Sequence, residues 1–378
     1  MSKQAKPKSE YAKTGVDYEK AEIFRRAMQA MSKRTLTFPN KRGVFIDKET
    51  VGAHGALYEY LGDKSHSWCQ TTEGLGNKNW ISEWMYKNAG TGRSYYEGIG
   101  IDTMLAAGND VIAQGALPVV YTDEVAANSY DWGADPLRSN DLAESFYKGC
   151  EMCGVALPAG ESSALRYLVK AELPVESAPV LSGCIIGIIA PKERKITNRN
   201  LQIGDHIIAV KSSGIHMNGI SLIINRAINL PDKFLTKLPN GNTLGDEVLI
   251  PTLSYVGLVE ALLENNVDIH VLLPGTGSGV AKVAFDHRPF SYRIHSWFKE
   301  IPPLFLYMQS LGVSLKDCLT TFNWGSGYYV YVSAEEAQRT VEIGTKAGYE
   351  IMDVGIVEKG ERQVIFEPEK IILPPPGE

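Results

Sequence analysis

Residues 191–204 (PKERKITNRNLQIG) form a charged stretch ending in glycine near the middle of the chain, with strand-like and helix-like segments on both sides. Such a stretch marks a boundary. The same mixture in each half confines the chain to an α+β architecture with mixed α/β sheets in two domains. Length agrees, because 378 residues at roughly 150 per domain make two or three units. The expected division is an arm over 1–18, a first domain over 19–192 and a second over 200–378.

Local patterns fill in each half. Residues up to about 18 are polar and read as an arm with a mobile tip. Ala21, Phe24, Ala27, Met28 and Met31 then make one apolar helix stripe. Strands are expected at Ser67–Thr72, Pro118–Val125, Val155–Pro158 and Ala178–Ile189, and helices at Gly100–Gly115 and Leu142–Cys153. Gly154 is a natural cap for the second helix. Beyond the boundary, strands are expected at Asp205–Lys211, Tyr328–Val332 and Glu350–Val357, and helices at Gly219–Leu230 and Tyr255–Asn265. The tail LPPPGE reads as extended polyproline.

Composition excludes several classes. Hydrophobic residues at 44% against 22% charged rule out disorder for the bulk of the chain. Lys+Arg number 38 against 44 Asp+Glu, a formal charge of −6, and no basic cluster is sustained, so no nucleic-acid partner is expected. The longest apolar run, Ala178–Pro191, is broken by Ser182, Gly183 and Gly187 and is too short to cross a bilayer. The opening MSKQAKPKSE lacks the apolar core of a signal peptide. Of five cysteines only Cys150 and Cys153 form a C-x-x-C pair, and they continue the helical spacing of Leu142 and Phe146. They read as core thiols rather than as a zinc or redox site. A cytoplasmic protein without a membrane partner is the resulting expectation.

The 36 glycines exceed the usual share of about 7% and gather with carboxylates. Thr71-Thr72-Glu73-Gly74-Leu75-Gly76-Asn77-Lys78 follows a strand. Gly74 and Gly76 would let backbone N–H groups face an anion, Lys78 adds charge, and Glu73 is a hard oxygen ligand. The spacing is neither a Walker A loop nor a dinucleotide fingerprint, and a Gly-rich hairpin turn is the rival reading. In Gly100–Pro118, Asp102 and Asn109 share a helix face, with Asp110 about 80° round from Asp102. An Asn-Asp pair in mid-helix is poor in propensity and points to a polar site, against the rival of a solvated face.

Pro158-Ala159-Gly160-Glu161-Ser162 ends a strand, where ligands gather and Glu161 is a hard oxygen ligand, although taken alone it is an ordinary strand-to-loop exit. Glu73, Asp110, Asp123 and Glu161 together suit Mg²⁺ held jointly by protein and a polyphosphate. Ser212-Ser213-Gly214-Ile215-His216-Met217-Asn218-Gly219 leads from strand to helix, an opening that attracts phosphate. His216 there is placed for acid–base work or a substrate hydrogen bond, or is a satisfied structural histidine.

In order, these clusters resemble the aminoimidazole ribonucleotide synthetase (phosphoribosylformylglycinamidine cyclo-ligase) family. The matching segments include Tyr11 with Gly15-Val16-Asp17, Gly52-Ala53-His54-Gly55-Ala56-Leu57, Thr72–Lys78 and Gly100–Pro118 with Asp123. Further on they are Ala159–Ser162, Ser212–Gly219 and Thr321-Phe322-Asn323-Trp324-Gly325-Ser326-Gly327. The resemblance implies ATP- and Mg²⁺-dependent closure of formylglycinamidine ribonucleotide to aminoimidazole ribonucleotide in purine biosynthesis. It implies a homodimer whose first domains pair strands into a shared barrel. It places Glu73, Asp110 and Glu161, with Asp123 as an outer member, at Mg-ATP. Gly74, Gly76, Lys78, Asn109 and Gly160 fall at phosphate, and His216, Asn218 and Asp110 at the chemistry.

The chain departs from the family pattern at particular positions. Glu73 stands for Asp, Asn77 for Thr and Met217 for Ser; Ala164-Leu165-Arg166-Tyr167 replaces Glu-Met-Pro-Gly, and Pro274-Gly275-Thr276-Gly277 replaces Thr-Gly-Gly-Gly. A relative that uses ATP on another small molecule, or an inactive nucleotide-binding one, is therefore the alternative.

Overall fold

A computed structural model describes residues 10–51 and 55–377. Residues 1–9 of the expected arm, and Gly52, Ala53 and His54 of the glycine-rich motif, lie outside the described residues. The first half contains α1 (Glu10–Lys13), α2 (Tyr18–Thr35), β1 (Val44–Ile46), β2 (Tyr58–Tyr60), β3 (Ser67–Gly74), α3 (Lys78–Asn88), α4 (Ile99–Val111), β4 (Leu117–Ala127), α5 (Pro136–Cys153), β5 (Ala156–Ala164) and β6 (Val180–Ile189). The second contains β7 (His206–Lys211), α6 (Ile220–Ala227), α7 (Leu244–Val248), α8 (Val256–Glu264), β8 (Ile269–Pro274) and β9 (Phe290–Ile294). It continues with α9 (Pro303–Ser310), α10 (Leu315–Thr321), β10 (Ser326–Val332), α11 (Ala334–Lys346), β11 (Ile351–Lys359), β12 (Gln363–Phe366) and β13 (Ile371–Leu373).

Each half builds one main sheet. The first has the order β3-β6-β4-β5, with only the β4–β5 pair parallel. The second has the order β13-β12-β9-β11-β7-β10-β8, with only β12–β9 parallel. Edge strand β3 alternates half-buried and exposed positions, whereas central β10 (SGYYVYV) is buried throughout. Both follow from position: an edge strand keeps one wet face, and a covered central strand needs none. Among the described residues no helix is long and apolar enough to cross a membrane.

Helix α4 is buried on every side except at Asp110, because β3, β6 and α5 pack around it. Gly100 permits that packing. A β-carbon there would lie 2.5 Å from the Phe146 nitrogen, and the Ser145 hydroxyl accepts from the Ile101 N–H at 3.0 Å. Cys150 and Cys153 are free and fully buried on α5, and burial pushes the Cys153 thiol up to about 12.

The sheets follow the two halves, but the cores interlock. Trp80 and Trp84 of α3 pack on Phe234 of the second half, with ring centroids 5.9 and 5.1 Å apart. In return, the core of the first sheet continues through Tyr255 and Leu258 to Tyr328 and Val330 of β10. The site lies along this seam.

Gly100→Val should destabilise the fold by about 1–3 kcal/mol through overpacking of α4 on α5. A lowered urea midpoint at unchanged slope is the expected result.

Candidate active site

Asp102 and Asn109 do share one face of α4, and that face meets protein rather than water. The Asp102 Oδ1 accepts from the Thr252 N–H at 2.8 Å and from its hydroxyl at 2.6 Å. Asn109 donates to the Leu253 carbonyl and accepts from the Tyr255 N–H, both at 3.0 Å. Lys78, in the first turn of α3, places its ammonium 2.8 Å from Asp102 Oδ2 and donates to the Ile250 carbonyl at 2.9 Å. Both side chains of this ion pair have 0% exposure. Burial holds the Lys78 pKa below and the Asp102 pKa above their ordinary values, each against the attraction of the other. Lys78 and Asn109, both expected at phosphate, are thus engaged at the seam, since a buried charge or amide requires its partners.

The seam continues into the loop after β7. Thr252 Oγ1 lies 2.9 Å from Met217 Sδ, and Ser213 donates to the Pro251 carbonyl at 2.6 Å. Asn323 donates to the Gly214 carbonyl at 2.8 Å and accepts from the Ser212 hydroxyl at 3.2 Å. His216 adopts a left-handed φ of 59°, is 1% exposed, and has a buried Nε2 without a hydrogen-bond partner. Burial, then the nearby Lys78 charge, pushes its pKa down to about 3, so the imidazole is neutral at pH 7. Gly327 makes room for it: a β-carbon there would lie 2.5 Å from His216 Cε1 and collide with the Tyr255 hydroxyl. Asn218 lies half-buried beside it, before α6.

The four carboxylates separate into groups. Glu73, Gly183, Asp123 and Gly160 are cross-strand neighbours in one row of the first sheet, on the face that carries α4. Two strand spacings, about 9–10 Å, separate Glu73 from Asp123. Gly160 leaves space that Asp123 Oδ1 occupies, since a β-carbon there would collide with it. Burial and then the Glu161 charge raise Asp123 to about 7. Glu161 is exposed, one position further along β5, where alternation turns it to the opposite face beside Glu124.

Asp110 sits at the open end of α4. Burial raises it to about 6, the Lys282 charge opposes this, and the Glu73 charge adds to it. Its Oδ1 is buried and has no hydrogen-bond partner. Gly74 ends β3 in the open, and Gly76 follows with φ +74° and open space around it. Asn77 beside them donates to Ser221 on α6 at 2.9 Å. A cleft of about 510 Å³ opens between the halves, lined by Gln70, Thr71, Asp110, Gln114, Asn198 and Pro274 among others.

Comparison with known proteins places this geometry. Residues 52–189 match the domain described as AIR synthase related protein, N-terminal domain, and residues 202–367 match its C-terminal domain. The chain belongs to the AIR synthase related family. Among family relatives, the phosphoribosylformylglycinamidine cyclo-ligase of Pyrococcus horikoshii is 30% identical over 362 residues, 96% of each chain. That of Lactobacillus acidophilus is 32% identical over 336 residues, 84% of this chain and 90% of the relative. The AIR synthase fold is shared with solved structures at lower identity. Hydrogenase maturation protein HypE in complex with ATP has a TM-score of 0.54 at 16% identity, covering 85% of this chain and 87% of its own. Thiamine-monophosphate kinase from Stenotrophomonas maltophilia reaches 0.57 at 15%, covering 90% and 96%.

Within this AIR synthase family member, sequence reasoning missed Lys282, Tyr328 and Thr252. Lys282 carried a usable signal, since it follows the glycines of 275–279. Thr252 carried none, because its role depends on meeting Asp102 from 150 residues away. Among the described residues no three His, Cys, Asp or Glu side chains converge on a metal position.

Asp102→Asn would leave Lys78 buried without a counter-charge and should cost about 3–5 kcal/mol of stability. The Lys78→Met/Asp102→Leu double variant should lose less, as chemical denaturation would show. His216 supplies a pH signature. Its folded pKa lies below the unfolded value of about 6.5, so its contribution is present above that pH and is lost as pH falls toward 3. The loss should be about 1.4 kcal/mol per pH unit in that window. His216→Asn should flatten this slope in urea titrations at pH 7.5 and 5.5.

Proposed function

We propose that this chain is a phosphoribosylformylglycinamidine cyclo-ligase that closes formylglycinamidine ribonucleotide to aminoimidazole ribonucleotide at the expense of ATP. The observation that carries the reading is end-to-end similarity to a cyclo-ligase, 30% identity across 96% of both chains. The γ-phosphoryl group passes to the formyl amide oxygen and ADP leaves. The amidine nitrogen then attacks that carbon, the C–O bond to phosphate breaks, and the ring nitrogen gives up its proton. The cleft of about 510 Å³ has the size of a small-molecule site.

The chain's own residues divide this work. Asp110 and Glu73 present two like charges, one with an unpartnered buried oxygen. Such a pair fits Mg²⁺ that arrives with a polyphosphate, because this ion takes one or two carboxylates and completes its shell with phosphate and water. Bound there, Mg²⁺ would neutralise charge on the transferred phosphoryl group. Asp123 and Glu161 stand further along the same sheet, and Gly74 and Gly76, at the end of β3, leave backbone uncovered by side chains. His216, neutral and with a free buried Nε2, is suited to hydrogen-bond the substrate, with Asn218 beside it.

The reading also takes the enzyme as a cytoplasmic homodimer. Trp68 and Val180, 44% and 54% exposed on the open face of the first sheet, are what a second copy would cover.

ADP release with formylglycinamidine ribonucleotide and Mg-ATP tests the function directly. Wild-type turnover is expected, and its absence under saturating ATP rejects the reading. Asp110→Asn should lower turnover by at least 100-fold, roughly the loss of one strong electrostatic contact in the transition state, while the thermal transition is retained.

A further inference from the structure

The site holds a cation that no family motif announced. Gly277, Ser278 and Gly279 take consecutive left-handed conformations, and Lys282 follows in the short helix Gly279–Ala284. The turn is pressed against the end of α10, where a β-carbon on Gly279 would lie 2.5 Å from the Leu319 carbonyl and 2.6 Å from that of Phe322. The base of Lys282 is therefore fixed. Its ammonium donates to the Thr276 carbonyl and lies 3.4 Å from the Thr276 hydroxyl. From there its charge bears on Asp110 and Glu73 of the other half. The Tyr328 hydroxyl, fully buried and without a partner, also feels the Asp110 charge.

We propose that Lys282 is the phosphate-contacting lysine of this site, the part expected of Lys78. The inference rests on the cyclo-ligase reading and deepens it. Lys78 is closed off by Asp102, Ile250 and complete burial. Lys282 is half-buried, and the carboxylates whose charge bears on it, Asp110 and Glu73, are the ones suited to a divalent cation. When those carboxylates bind an incoming cation, the ammonium loses its counter-charge. A phosphate oxygen carried on the same ligand replaces it, with Thr276 holding the direction of the ammonium. The shared chemistry is a phosphate oxygen, from either the nucleotide or the ribosyl phosphate of the substrate.

Equilibrium binding of Mg-ATP, and steady-state constants with formylglycinamidine ribonucleotide, test this on wild type, Lys282→Gln and Lys282→Arg. Lys282→Gln should weaken one of the two constants about 10–100-fold, the range for a hydrogen bond to a charged group, and Lys282→Arg should restore most of it. A change in the ATP dissociation constant assigns the nucleotide; a change in the KM for the ribonucleotide alone assigns the ribosyl phosphate. Mn²⁺ added without nucleotide should bind Lys282→Gln at least as tightly as wild type, because a competing positive charge is gone. Weaker Mn²⁺ binding, or both phosphate constants unchanged in a folded variant, overturns the proposal. Lys282→Met, which keeps the apolar stem, replaces the Gln variant if that form does not fold. Wild type that turns over beside an unaffected Lys282→Gln removes this proposal alone, whereas wild type that binds no ATP removes the cyclo-ligase reading as well.

Discussion

The buried ion pair between Lys78 and Asp102 is the constraint around which the rest of the molecule is arranged. Two charges with no solvent exposure are tolerable only when each satisfies the other and the remaining donors and acceptors find partners. Here Thr252 and Ile250 supply those partners from the opposite half of the chain. The pair therefore fixes where α3, α4 and the segment 250–255 must meet. Met217 and Ser213 touch that same segment, so the His216 loop inherits its position from the pair.

Around this satisfied centre lie polar groups that the fold leaves unsatisfied. His216 Nε2 and Asp110 Oδ1 are buried without hydrogen-bond partners, and Asp123 is held toward neutrality by burial. Groups of this kind oppose folding, and they persist where a ligand can complete them. Asp110 lines the cleft and His216 lies in the loop beside the seam, whereas Asp123 sits within the first sheet between Gly183 and Gly160.

Much of the scaffold was legible because it follows local rules. The helix ending at Gly154 is capped by that residue in a left-handed conformation, as a C-terminal glycine predicts. The glycine-interrupted apolar run became β6, buried between β3 and β4. Other elements escaped notice. Helix α3 (KNWISEWMYKN) is buried over most of its surface, including Lys78, Asn79, Ser82 and Glu83, so it lacks the polar face that reveals a helix. Strand β8 is buried at every position and gives no alternation to read. Helix α11, by contrast, carries Ala337, Val341 and Gly344 along one side, a stripe at helical spacing that is legible in the sequence.

The sequence by itself determined the two-sheet α+β frame, the order of the glycine and carboxylate clusters, and the family they belong to, because backbone geometry and motif order are written along the chain. Only the tertiary structure decided which of those residues remain free for a ligand. Lys78 and Asn109 are drawn into the seam by Ile250 and Leu253, 172 and 144 residues away, while the Lys282 charge bears on carboxylates of the other half. A charged side chain's role depends on what lies within a few ångströms of it, and that distance is set by packing, not by position in the chain.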